Sequence, residues 1–238
     1  MDPMIILCLD SELKISKKML IKGFSDLQHK TLIPEFYHVP LLLLSNGFER
    51  IIKCLLCLNN MDENGKIIRC PYSKKKGHDL KYLLEELLII CKEKMYDQRC
   101  PATEKDVEFL VGDIDLNNLI SLLSDFGKGA RYYNLDIILC KKSHYKNPKN
   151  VWSEIETTIW KKKFNEGDYT GEEIKRIHLD VIQILIILLE KFARSLARIF
   201  TLGEFGSTGK QIAFNLEVFC NLRNQDLGKV DWNKYDRI

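Results

Sequence analysis

Leu80, Leu83, Leu84, Leu87, Leu88 and Cys91 recur at intervals of three and four residues, with Lys81, Glu85, Glu86, Lys92 and Glu93 between them. This spacing gathers the apolar side chains on one face of an α-helix; a strand, whose period is two, would scatter them over both faces. The same period returns over 174–199: Ile174, Val181, Leu185, Leu188, Phe192, Leu196 and Ile199 share one face, and Arg176, Lys191, Arg194 and Arg198 the other. No apolar–polar alternation competes with these stripes, so an all-α fold is expected, a bundle of about six to eight helices.

Punctuation places the elements. Helices are expected at about 12–31 and 37–59, separated by the Pro34 and Pro40 region, with a turn-rich loop at 60–77. After the stripe helix, Thr103-Glu-Lys-Asp106 reads as a capping-box variant opening a helix that Gly112 interrupts before Leu116–Phe126; Gly127 and Gly129 end it. Further helices are expected at 130–142, at 149–164 after Asn147-Pro148, at 171–202 and at 210–226. Only 13 Gly and 6 Pro exclude collagenous and low-complexity chains. Val181–Leu189, the longest apolar run, contains Gln183 and falls short of the ~18–20 residues needed to cross a bilayer, so no membrane partner is expected. Ile184 and Ile187 lie outside the apolar arc, which suggests a subunit contact and a homodimer.

The N-terminal MDPMIILCLD lacks the positive region of a secretory signal, so a cytoplasmic setting and free thiols are expected for the eight cysteines. Cys54 and Cys57 form a CxxC inside an apolar helix, and Cys70, Cys91 and Cys100 supply no second pair; core packing is preferred and no metal is assigned. GEFGSTGK at 203–210 lacks the first glycine and the final Ser or Thr of a phosphate-binding loop, so no nucleotide and no cofactor is expected. His178 interrupts an apolar helix face and reads as a satisfied buried histidine, with a general base as the alternative; His29, His38 and His144 receive no chemistry.

Thirty-six Lys plus Arg against 33 Asp plus Glu leave a net charge of +3, so only a local cluster can argue for nucleic acid. Segment 141–164 is such a cluster. Lys141, Lys142, Lys146, Lys161, Lys162 and Lys163 could neutralise RNA phosphates, Trp160 could stack on a base, and Arg194 and Arg198 could extend the surface. The competing reading is a solvated helix whose tryptophans face the core.

Three segments carry a further signal. FERIIKCLL sets Glu49 and Lys53 one helical turn apart, GHDLKYLL opens a helix with His78-Asp79, and GARYYNLD places Arg131-Tyr132 at the start of a later helix. In this order they resemble the HEPN superfamily, all-α domains of prokaryotic toxin–antitoxin and phage-defence systems. The resemblance covers about 37–140 and implies a HEPN-like domain over 37–238 behind an N-terminal helical extension at 1–36. Ribonuclease members of that family rely on an Arg-x4-6-His motif near the last helix. This chain has no Arg followed by His at that spacing; Arg223, Asn224 and Asp226 stand nearest to where it would be sought, and an acid is a poor proton donor at neutral pH. The resemblance therefore implies a non-catalytic protein that binds RNA or a cognate protein. The alternatives are a metal-independent endoribonuclease with a diverged site near Arg223 and a plain protein-interaction module.

Overall fold

The computed structural model describes residues 3–28, 37–62, 64–67, 69–164, 167 and 169–236. Its helices are α1 (Pro3–Gln28), α2 (His38–Asn59), α3 (Leu80–Glu93), α4 (Pro101–Gly112), α5 (Ile114–Lys128), α6 (Tyr133–Ile138), α7 (Pro148–Lys163), α8 (Gly171–Leu202), α9 (Gly206–Ile212), α10 (Glu217–Cys220) and α11 (Asn233–Asp236). Among the described residues no strand forms; Met61 and Ile67 make a single antiparallel bridge. The all-α expectation holds, with more helices than the six to eight expected; the helix expected at 210–226 breaks into α9, a 3-10 turn over Ala213–Leu216 and α10, and α11 follows in the stretch beyond it. The helix expected at 130–142 contracts to a 3-10 turn over Ala130–Tyr132 and the six residues of α6.

Local chemistry sets most starts. Asp79 and Asp113 cap α3 and α5 by accepting from the Tyr82 and Leu116 amides, and Asn147 caps α7 ahead of Pro148. Thr170 and Glu173 close a reciprocal capping box on α8. At α4 the box lies three residues earlier than expected: Cys100 is the N-cap, and Thr103 is the residue that reaches back to it.

Helices α1 and α2 run antiparallel at close range, because Gly23 receives Leu44 and Gly47 receives Leu20. Leu13, Leu20, Phe24 and Leu27 are fully buried, so α1 shares the core of the remaining helices instead of extending from it. The boundary expected at residue 36 lies in 29–36, outside the described residues, as does His29.

Helix α8 is central, and its expected wet face is the main correction. Glu190 is fully buried, and its carboxylate accepts from the Gly228 amide at 2.6 Å and the Trp232 indole at 2.7 Å. Arg194, also buried, donates to the Leu222 carbonyl at 3.1 Å and to Asn224 Oδ1 at 3.0 Å. Residues 222–232 thus lie over the polar stripe. They also meet Ile187 at Gly228, and Ile184 and Ile187 pack partly buried against the core, which accounts for part of the apolar surface that lies outside the main arc. Ile174, assigned to the apolar face, is exposed at the start of the helix.

Candidate functional site

The six residues of the three resembling segments converge at the C-terminal end of α5. Glu49 is buried on α2, with Lys53 Nζ at 2.7 Å and the exposed His78 ring at 3.1 and 3.2 Å through Nδ1. Asp79 accepts from Ser124 Oγ at 2.7 Å and meets Lys128 Nζ at 3.2 Å. Burial raises the Asp79 pKa, but the bonds from Ser124, the Tyr82 amide and Lys128 outweigh it and hold the carboxyl below its usual value. Arg131 donates to the carbonyls of Phe126 and Gly127 at the negative end of α5 and lies 4.9 Å from the Tyr132 ring. Gly127 has no room for a β-carbon, which would meet Ser45 Oγ at 2.7 Å and the His78 carbonyl at 3.1 Å. The cluster is a clasp that joins α2, α3 and α5. Glu49 thus binds Lys53 and the Nδ1 side of His78 at once.

Around this clasp the fold assembles cations that lie far apart in sequence. Lys74, Lys75 and Lys76 form an exposed 3-10 turn immediately before His78, and Lys128 and Arg131 sit at the end of α5. Loop 140–147 returns there, because the Tyr145 ring packs on Gly129 at 2.7 Å from where its β-carbon would be; it brings exposed Lys141, Lys142 and Lys146. Sequence reasoning treated 60–77 only as a loop. The available signal was the stretch from Asn64 to His78, which carries Lys66, Arg69 and the three lysines and no acid. Lys53 and Lys76 lie over the Tyr72 and Tyr82 rings at 5.1 and 4.8 Å, beside a cleft of about 420 Å³ lined by Asn59, Asn60, Arg69, Tyr72 and Tyr82.

The segment 141–164 does not act as one surface. Helix α7 runs antiparallel to α5, so Lys162 pairs with Asp115 at 2.6 Å at the start of α5, about 20 Å from Lys128 at ~1.5 Å per residue. Lys161 and Lys163 go with it. Trp152 is buried, and Trp160 packs against the core and edge-on to Tyr169 at 6.1 Å, so these aromatics serve the interior. Arg198 does not face solvent phosphates either: it pairs with buried Asp106 at 3.0 Å, which also accepts from Ser195 and Tyr96. Arg194 is the buried residue already described, so both arginines are held by partners within the chain.

Arg223 is exposed and pairs with Asp226 at 3.3 Å, while Asn224 accepts from Arg194. These three residues hold the C-terminal turn and present no histidine. His178 is half-buried near the outer part of α8. Burial pushes the Cys54 thiol up, and that of Cys57 to about 11, so both are neutral thiols. Among the described residues no group of three or more His, Cys, Asp or Glu is placed to hold a metal ion, and no helix is long and apolar enough to cross a membrane. No family model, no curated protein and no solved structure matches the chain.

Proposed function

We propose that this chain is a non-catalytic, HEPN-like helical scaffold that binds RNA through the cations gathered at the C-terminal end of α5. The observation that carries this reading is the placement of Lys74–Lys76, Arg131 and Lys141, Lys142 and Lys146 on segments that pack around one helix end, beside Lys128 paired with Asp79 and Asp125, where cations suit a phosphate chain and release its counterions. The convergence of the three motif segments supports the family reading, and the absence of a histidine at the Arg-x4-6-His spacing after Arg223 supports a binding role over cleavage.

A labelled single-stranded RNA oligonucleotide, titrated at several salt concentrations, tests the proposal. Replacing Lys141, Lys142 and Lys146 by Gln should weaken binding and lower the slope of log affinity against log salt by about 2, at ~0.7 per contact. The same change at Lys161, Lys162 and Lys163, on the far end of α5, should leave the slope as it is. Intact RNA after incubation is the expected companion result. Absence of wild-type binding at low salt, or an equal effect of both triple variants, overturns the assignment.

A further inference from the structure

Beside the basic end stands a segment that the fold leaves uncovered. Tyr132, Leu135, Ile137, Ile138 and Leu139 are 50, 53, 55, 73 and 60% exposed, and none of the six residues of α6 is buried. Scattered apolar side chains on a surface need no explanation, whereas five within eight residues form a patch of the kind that marks a contact. Helix α6 packs mainly on the 3-10 turn that precedes it. Beyond it the chain reverses sharply: the Lys141 amide bonds the Asp136 carbonyl at 2.8 Å, and Cys140 takes a left-handed conformation at φ 53°. The aliphatic residues therefore occupy the tip of a closed projection.

Charge selects the occupant. Arg131 stands before the projection and Lys141 and Lys142 after it, against half-buried Asp136 within it, while Lys128 is held by Asp79 at 3.2 Å and Asp125 at 3.1 Å. A second copy docked tip to tip would set these cations against each other; anionic headgroups would neutralise them. Tyr132 sits at the base of the tip, where tyrosines favour the membrane interface.

We propose that residues 132–142 are a peripheral membrane-binding tip, with Leu135, Ile137, Ile138 and Leu139 entering the surface of an anionic bilayer and Arg131, Lys141 and Lys142 holding its headgroups. This goes beyond RNA binding, which needs the cations and not the aliphatic side chains.

Sedimentation of the full chain with phosphatidylcholine vesicles, with and without phosphatidylserine, tests it. Binding should require phosphatidylserine. Replacing Lys141 and Lys142 together by Gln should lower affinity about 30-fold, at roughly fivefold per cation. The double variant Ile138→Ser, Leu139→Ser touches only exposed positions; it should keep the wild-type unfolding midpoint and RNA affinity and lose vesicle binding. In a third variant, Ile138→Trp, tryptophan emission should shift to the blue on adding the anionic vesicles alone. No sedimentation with anionic vesicles, or sedimentation that survives the double serine variant, overturns the proposal. A wild-type dimer that dissociates in the serine variant overturns it in favour of a second copy. Loss of RNA binding by the lysine variant without loss of vesicle binding leaves the RNA reading standing and overturns this one.

Discussion

Glu190 shows how a single residue escapes a reading of the sequence. Its helical position places it on the polar stripe of α8, yet its partners Gly228 and Trp232 lie 38 and 42 residues away. Asp106, joined to Ser195 across 89 residues, is hidden for the same reason. Asp79 is the contrast: its cap partner Tyr82 is three residues on, and the capping role was legible. Burial raises the Glu190 pKa, more than the bonds from Gly228 and Trp232 and the nearby Arg194 charge lower it. A carboxyl whose pKa is higher in the folded than in the unfolded chain makes the folded form bind more protons, so stability falls as pH rises from about 4.5 through the raised value. Glu190→Gln should abolish that slope. It should also cost about 1–3 kcal/mol near neutral pH, because the amide NH₂ turns a donor towards a buried N–H group that had an acceptor. Urea unfolding across this pH range checks both effects, and an unchanged slope would move the titration elsewhere.

At the scale of elements, what was legible depended on how local the cause was. The stripe of α3 and the caps of α5 and α7 follow from neighbours within a turn, and the expected helices fall close to them. The stretch 210–226 has helical character but folds as short pieces, because residues beyond Leu216 must turn to lay 222–232 across α8. The basic end was not legible as a unit: it joins a loop, a helix end and a second loop that only the packing of Gly127 and Gly129 brings together. The same use of glycine fixes α1 against α2. A β-carbon on Gly47 would lie 2.7 Å from Leu20 Cδ2 and 3.3 Å from the Ser16 carbonyl, with Leu20 fully buried. Gly47→Ala gains up to ~1 kcal/mol of helix propensity and overpacks this contact at a cost of roughly 1–3 kcal/mol. A lower unfolding midpoint is the expected outcome of thermal denaturation; a higher one would mean that the helices separate easily.

Over the whole molecule, the first helix and the last described segment are packed together. Phe24 meets Trp232 at 5.1 Å and Phe219 at 6.0 Å, Ser25 donates to Asn233 at 2.7 Å, and Trp232 donates its amide to Gln28 at 3.0 Å. With Trp232 fully buried between them, α1 and the C-terminal segment should melt together with α8 in one transition. Trp232→Ala should lower that single midpoint, costing about 3–5 kcal/mol, and circular dichroism should follow the same curve as tryptophan emission. An early separate transition would restore an independent N-terminal unit. The cover over Glu190 and Arg194 also has a consequence in time. Residues 222–232 follow α8 in the chain, so the helix completes its surroundings only when that segment docks. Until then α8 shows water a carboxylate and a guanidinium where the finished protein has an interior, so folding of the covering segment and burial of this side of the helix are one event.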